Sequence, residues 1–201
     1  MANRDSQDAR RRLFEFAVAQ GGYFTAAQAQ AAGYPKQLRH YHGKRGNWVR
    51  EEWGIYRIRE WPRSPYDDLI LWGVWTRGAA VVSHQTAMAV HGISGLIPAR
   101  IHLTVPPGFR KRPPDTIALH RDRLEPHEVE QREGFRVTTV IRTLVDAAKV
   151  GVDPERLSDG VRDAIRKGLL ADRHIEGVVS NLRGSIAERL HAALIDARRA
   201  A

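Results

Sequence analysis

Gly33 and Pro35 divide a short stretch of this chain into two helices and define the turn between them. Thr25 is a preferred N-cap residue, so the alanine-rich segment AAQAQAA after it is expected to form a short helix. Gly33 supplies the left-handed conformation that commonly ends such a helix. Pro35 suits the first position of the following helix because its backbone dihedral is already helical. The segment therefore predicts a helix, a glycine-containing turn and a second helix.

The flanking residues extend this pattern on both sides. Upstream, Ala9, Leu13 and Phe16 recur at helical spacing and predict a first helix over residues 5–20. Downstream, NWVREEWGIYRIREWP alternates aromatic and β-branched residues around a turn near residues 52–54, which predicts a hairpin. Three helices followed by a hairpin are typical of a winged helix-turn-helix domain. Prolines 62 and 65 then punctuate the chain, so we expect this domain to span residues 1–65.

The rest of the chain, residues 66–201, predicts a mixed α/β domain that ends in helices. A helix is expected over residues 66–76, followed by a short strand, a helix capped by Ser83 and closed by Gly92, and the strands RIHLTV and IALHR. Helices are then expected from Thr138 or Thr139, from Asp153-Pro154, and from the capping box Ser185 to Glu188. The predicted fold class is α+β, with the winged helix-turn-helix first and the mixed domain second.

Charge favours a polyanionic partner. The chain carries a formal net charge of +9. Asp and Glu are absent from residues 16–50 and again from residues 69–114, while Lys and Arg occur in both stretches. Basic residues without local acids attract phosphates, and counterion release then favours nucleic acid. Solubility alone is the other explanation of such a charge.

Cysteine is absent, which excludes disulfides, thiolate zinc sites and a cysteine nucleophile. The N-terminal residues lack the apolar run of a signal peptide, and no window is apolar enough to span a membrane. We therefore expect a cytoplasmic protein without a membrane partner.

The third predicted helix is the expected DNA-reading element. A helical wheel turns Leu38 and Tyr41 toward the first helix and places Lys36, His40 and Lys44 on the opposite side. Lys and Arg can donate to guanine edges and to phosphates, and Gln can pair with adenine. A solvated basic helix is the alternative. The predicted DNA-binding residues are Thr25, Lys36, Gln37, Arg39, His40, Lys44, Arg45, Arg50 and Arg57.

Two further segments leave alternatives open. The hairpin carries Glu51 and Glu52 near its turn, which argues against phosphate contacts there, and its aromatic residues, Trp53 among them, are expected to pack. The loop PPGFRKRPP is a possible second basic surface formed by Arg110, Lys111 and Arg112. A mobile surface loop is an equally good interpretation.

Enzyme chemistry has weak support. Ser83 and His84 are adjacent, and adjacent residues of a regular element do not face each other, so they are expected to make a poor nucleophile and base pair. The histidines lack the helical zinc spacing, and no phosphate-binding or dinucleotide-binding glycine motif occurs. Arg142 and Asp146 are expected to form an intrahelical ion pair. We expect no catalytic residues, no metal and no cofactor.

The order of motifs resembles the AbiEi family of antitoxins from type IV toxin-antitoxin systems, over about residues 12–179. The resemblance lies in an ordered set of segments: Gly54 to Arg57, then Ser83-His84, then His102 to Pro106, then Arg142 to Leu144 with Asp146. Each motif is weak singly. The acidic hairpin turn departs from the basic wing that is common in the family, and the helices after residue 179 match nothing.

This resemblance implies a transcriptional autorepressor that binds its operator as double-stranded DNA through the helix at residues 35–44 and the hairpin strands. It also implies an antitoxin that counteracts a nucleotidyltransferase-like toxin without requiring a stable complex. Two alternatives are an interaction module that binds RNA or an acidic protein, and, with less support, a nuclease that uses Asp146 or His84.

Overall fold

The computed structural model of the protein describes residues 2–199. These residues divide into two compact units. The first unit comprises the chain up to Ala79 together with residues 132–135, and the second comprises residues 80–131 and the chain from Arg136 onward.

The elements of the first unit occur in the expected order, with an additional short strand near Thr25. They are α1 (Ala2–Ala19), β1 (Tyr23–Thr25), α2 (Ala26–Ala32), α3 (Lys36–Lys44), β2 (Trp48–Glu52), β3 (Ile55–Ile58) and α4 (Asp67–Trp75). The strands form an antiparallel sheet in the order β1-β3-β2, in which Phe24 lies opposite Tyr56 and Trp48 lies opposite Ile58.

The ends of α2 have the local structure that their residues predict, whereas Pro35 is the extended N-cap of α3 and not its first residue, because its ψ is 171°. The Thr25 side chain accepts the backbone N–H of Gln28 at 3.1 Å, and the Gln28 side chain accepts the backbone N–H of Thr25 at 2.8 Å. This reciprocal pair is a capping box. Gly33 has a φ of 107°, a left-handed conformation that a side chain would strain. Both ends of α2 are thus determined by residues within it or next to it.

The core of the first unit lies between α1, α2 and the sheet. Leu13, Phe24, Ala29, Ala32 and Trp48 are buried there, and partly buried residues from the turn before α3 and from β3 pack around them. The Phe24 and Trp48 rings meet edge to face with centroids 4.8 Å apart. Such a pair is stabilising because the positive ring edge lies on the negative ring face.

The boundary between the units lies after Ala79 and not near Pro65. The helix expected to lead away, α4, belongs to the first unit because it supplies partners to that unit's core. Asp67 at its start pairs with Arg57 of β3, their closest N and O atoms being 3.6 Å apart, and Ile70 lies against Gly21. A boundary placed from prolines alone could not include these contacts.

The second unit combines a mixed sheet with helices. Its elements are β4 (Val81–Val82), α5 (His84–Val90), β5 (Ile101–Val105), β6 (Ile117–Arg121), a 3-10 turn (Pro126–Glu128), β7 (Val129–Gln131), β8 (Arg136–Thr138), α6 (Val140–Lys149), α7 (Pro154–Arg166), α8 (Asp172–Asn181) and α9 (Gly184–Arg199). The sheet order is β6-β5-β4-β8-β7, with β5 parallel to β6 and β4 parallel to β8.

The helices of this unit share an apolar core. Leu144 of α6, Val161 of α7, Ile175 of α8 and Leu194 of α9 are buried in one cluster. Asp153 caps α7 by accepting the backbone N–H groups of Glu155 and Arg156, as the Asp-Pro pair predicts. The expected capping box at Ser185 to Glu188 does not start α9, which already begins at Gly184. The α+β class is confirmed.

Among residues 2–199, no helix is both long enough and apolar enough to cross a membrane.

Candidate nucleic-acid interface

The inward side of α3 differs from the helical-wheel prediction. Leu38 is 43% exposed and Tyr41 is 49% exposed, so neither residue is an inward anchor. Leu38 instead borders a groove of about 700 Å³ between α1, α3 and the segment 58–62, whose walls include Phe14 and Trp61. Leu38 therefore lies on the side of the first helix, as predicted, but neither Leu38 nor Tyr41 is buried against it.

Arg39 and His42 face inward in their place. Arg39 donates to the backbone carbonyl of Tyr34 at 3.0 Å. The His42 ring stacks on Trp48 with centroids 4.5 Å apart and an interplanar angle of 17°. Burial lowers the pKa of His42, which keeps the stacked ring neutral. These contacts hold α3 to the sheet through polar and aromatic groups, which a wheel that sorts only apolar residues does not detect.

The side of α3 left for a partner is basic and hydrogen-bonding. Lys36, His40 and Lys44 are exposed and lie one turn apart along the helix. Gln37 is exposed beside them, and the Arg45 guanidinium lies 5.3 Å from the centroid of the Tyr41 ring. Residues 16–50 contain no Asp or Glu. The positive charge of this face is therefore not neutralised by a carboxylate of its own segment.

Two of the predicted DNA contacts have structural roles. Thr25 caps α2, so its hydroxyl already accepts a hydrogen bond. Arg57 is 1% exposed and donates to the carbonyls of Trp61 and Pro62 at 2.8 and 2.9 Å. The prediction that Arg57 reaches DNA is wrong, because β3 turns alternate side chains inward and Arg57 lies on the inward side with Ile55.

The hairpin turn presents an aromatic ring and not a bare acidic tip. Trp53 is 86% exposed, so the expectation that it packs is wrong. The Arg50 guanidinium lies 4.5 Å from the centroid of the Trp53 ring. Glu51 pairs with Arg63 at 3.4 Å, and a Glu52 carboxylate oxygen accepts the backbone N–H of Trp53 at 3.3 Å. Both carboxylates therefore have partners within the hairpin or close to it.

The basic loop lies in the second unit. Arg110, Lys111 and Arg112 are exposed on the connection between β5 and β6, which carries no helix. Two parallel strands need a long crossover connection between them, and most such connections contain a helix.

A cluster of histidines in the second unit was not predicted from the sequence. His84 starts α5, His102 lies in β5 and His120 lies in β6. The His84 and His120 rings stack with centroids 3.6 Å apart, and His102 Nδ1 lies 3.0 Å from His120 Nε2. Parallel pairing of β5 with β6 places His120 opposite Thr104, two residues beyond His102. The signal in the sequence was that each of the two strands, IHLTV and IALHR, contains one histidine.

Ser83 and His84 do contact each other, contrary to the sequence argument. Ser83 Oγ lies 2.9 Å from His84 Nδ1, and Thr104 donates to Ser83 Oγ at 2.8 Å. His84 has a φ of 53°, outside helix and strand geometry, which lets the adjacent side chains meet. Ser83 is nevertheless fully buried, so its hydroxyl does not face solvent.

The charge state of this cluster follows from burial. Burial, reinforced by the neighbouring histidines, lowers the pKa of His84 to about 3 and that of His102 to about 4. Burial also lowers the pKa of His120. All three rings are neutral near pH 7. Within residues 2–199, no group of three or more His, Asp or Glu side chains is arranged to hold a metal ion.

The ion pair expected within α6 is present and belongs to a larger network. Arg142 donates to Asp146 at 2.8 Å, and it also binds Asp122 and Glu128, each at 2.9 Å. Burial raises the pKa of Asp146 to about 6, against the opposing effect of Arg142. One arginine thus joins α6 to the end of β6 and the 3-10 turn.

Comparisons with known proteins support the fold only. No family model matches the chain, and no curated protein matches it. Among solved structures, the RV2827C protein from Mycobacterium tuberculosis is similar with a TM-score of 0.60 and 17% identity. The match covers 95% of this chain and 77% of that one. At this identity the likeness concerns the course of the backbone.

Proposed function

We propose that the first unit is a winged helix-turn-helix that binds duplex DNA, with α3 in the major groove. The observation that carries the proposal is the outward face of α3. Lys36, His40 and Lys44 form one exposed row there, and the surrounding segment contains no acid. The major groove is about 12 Å wide, which matches the ~10–12 Å diameter of a helix with its side chains.

The residues on this face suit both kinds of DNA contact. Lysine can donate to the N7 and O6 atoms of guanine, and Gln37 can pair with adenine. Arg45, Arg50 and Arg59 are exposed at the end of α3 and on the hairpin, where phosphates of the flanking backbone would lie. Arg39 supports the same helix from its inner side.

The regulatory role in this proposal is autorepression. The motifs that resemble the AbiEi antitoxins lie on the hairpin, on β4 and α5, on β5 and on α6. On that basis the chain represses its own operon in the cytoplasm and counteracts a nucleotidyltransferase-like toxin, without a requirement for a stable complex. The DNA-binding part depends on the surface of α3, and the antitoxin part depends on the motif order.

Fluorescence anisotropy tests the DNA-binding part directly. The labelled probes are the duplex upstream of the chain's own gene, a shuffled duplex of equal length and a structured RNA. We expect preference for the upstream duplex and an affinity that falls steeply between about 50 and 200 mM salt. Preference for RNA, or no duplex binding at low salt, would favour a basic interaction module for RNA or an acidic protein.

Co-expression tests the antitoxin part separately. A toxic nucleotidyltransferase-like gene adjacent to this one is expected to lose its toxicity when the full chain is expressed with it. Unchanged toxicity with a normally folded chain would remove the antitoxin role and leave the DNA-binding role standing.

A further inference from the structure

The ring of Trp53 is exposed to solvent and does not pack into the core of the first unit. It is 86% exposed, whereas Trp48 and Trp72 are each 7% exposed in the first unit. Tryptophan side chains are mostly well buried, and exposing one leaves a large apolar surface in water. The ring is thus available to a partner.

The backbone and Arg50 hold the ring in a defined position. Trp53 and Gly54 form the turn between β2 and β3, and Gly54 has a φ of 73° that suits glycine. The backbone N–H of Trp53 donates to the Glu52 carboxylate, and the Arg50 guanidinium lies over the indole, 4.5 Å from its centroid. A cation over an indole face is a favourable contact. The turn therefore presents an aromatic ring and a positive charge together.

The surrounding charges indicate an anionic partner. Glu51 pairs with Arg63, and Glu52 accepts the backbone N–H of Trp53 but keeps its charge. Arg50 on β2 and Arg59 just after β3 are exposed. The Arg50 side chain keeps its positive charge next to the ring without a carboxylate partner among the ion pairs of the described residues. Glu52 therefore remains a repulsive charge at the turn, and the attraction to a polyanion comes from the exposed Arg50 and Arg59.

The length of the hairpin suits the groove next to the one that α3 would occupy. β2 starts at Trp48, which contacts His42 of α3, and ends at Glu52. Five strand residues span roughly 17 Å at about 3.3 Å each. Half of a DNA helical turn of about 34 Å is also roughly 17 Å. The hairpin is therefore long enough for its turn at Trp53 to reach the adjacent minor groove when α3 lies in the major groove.

We propose that Trp53 and Arg50 form a minor-groove contact, in which the indole acts as a wedge against the bases and Arg50 occupies the groove beside it. This inference rests on the proposed DNA-binding function. Apolar side chains are inserted between base steps by other minor-groove proteins, and arginine is attracted to the negative potential of a narrow minor groove. The contact favours A·T-rich sequence next to the major-groove site.

The first experiment measures binding of the full chain and of Trp53→Ala to a labelled duplex with an A·T-rich flank. We expect Trp53→Ala to weaken binding about tenfold, in line with the loss of one base contact, and Trp53→Phe to retain most of the affinity. Ile97→Ala is the matched control, because Ile97 is an apolar side chain that is 93% exposed in the second unit. Equal affinities of Trp53→Ala and the wild type would overturn the proposal.

The second experiment locates the ring by spectroscopy. The chain has five tryptophans, so the emission that DNA changes in the wild type but not in Trp53→Phe belongs to Trp53. We expect netropsin, a minor-groove ligand, to compete with the wild type more strongly than with Trp53→Ala. Equal competition would place the ring elsewhere. Sedimentation must also show equal masses, because self-association lost in Trp53→Ala would assign the ring to a protein contact.

The two failures are distinguishable. If Lys36→Ala and Lys44→Ala each weaken binding while Trp53→Ala has no effect, the wedge is wrong and the DNA-binding function stands. If the wild type binds no duplex at low salt, the function itself fails.

Discussion

The His42 ring lies flat on the indole of Trp48, 4.5 Å between centroids, and this stack connects α3 to the sheet of the first unit. No residue of α3 is fully buried, so the helix depends on such partial contacts for its position. Asn47 adds to them, since its amide nitrogen lies 2.9 Å from His42 Nδ1. The orientation of the proposed recognition helix therefore depends on a side chain that itself does not face the partner.

Replacing His42 by alanine is expected to loosen α3. Loss of one aromatic contact costs about 1 kcal/mol of the free energy of unfolding, and duplex affinity falls because the helix is no longer held in place. Urea unfolding and anisotropy measure the two effects. His40→Ala, on the exposed side of the same helix, is the control and should lower affinity without lowering stability. A stable His42→Ala variant with normal affinity would contradict this role.

Removing the exposed lysines is expected to weaken DNA binding without unfolding the protein. Lys36→Ala and Lys44→Ala should each lower affinity about five- to tenfold and reduce the slope of log affinity against log salt by about one. Arg173→Ala, which removes one exposed charge from α8 of the second unit, is the charge-matched control. Equal effects of all three changes would mean that binding follows net charge alone.

Replacing Arg57 by alanine is expected to destabilise the first unit and not to act on DNA directly. The change removes the cation of the buried Arg57–Asp67 pair and leaves the carbonyls of Trp61 and Pro62 without this donor, while Asp67 keeps Arg63 and the backbone N–H of Ser64. Breaking such a buried pair costs about 3 kcal/mol, and lysine should not restore it because it lacks the forked guanidinium. Thermal unfolding measures the loss. Arg50→Ala should leave the unfolding temperature nearly unchanged.

Acidification is expected to destabilise the second unit. The pKa values of His84 and His102 are lowered to about 3 and about 4, so an unfolded chain, with histidine near 6.5, binds more protons from pH 6.5 down to about 4. Stability therefore falls as the pH falls through that window. Asp146, with its pKa raised to about 6, acts in the opposite direction, but it is one group against three histidines.

Amide exchange of β5 and β6 at pH 7.5 and 5.0 measures this pH effect. Each extra proton bound on unfolding contributes about 1.4 kcal/mol per pH unit. His84→Asn removes one titrating ring, and asparagine tolerates the left-handed backbone found there, so its pH dependence should be shallower. His127→Asn, at an exposed position, should keep the wild-type dependence. Identical slopes in all three proteins would refute the role of the cluster.

The sequence by itself determined the features that depend on residues close together in the chain. The Thr25 cap, the Gly33 end of α2, the hairpin turn, the Asp153 cap and the Arg142–Asp146 pair all join residues at most a few positions apart. Hydrogen bonds of that range are formed by the segment alone, so residue type and spacing are sufficient to predict them. The acid-free charge pattern of α3 is likewise a property of the segment.

The tertiary structure decided which way these elements face. The exposure of Trp53, the burial of Arg57, the inward side of α3 and the histidine cluster each depend on elements distant in the chain. Arg57 is buried because the segment after β3 folds over it and accepts its hydrogen bonds with the carbonyls of Trp61 and Pro62. His102 and His120 meet because β5 and β6 pair in parallel. Polarity predicts exposure only when no partner is folded against the residue, and the local sequence does not contain that information.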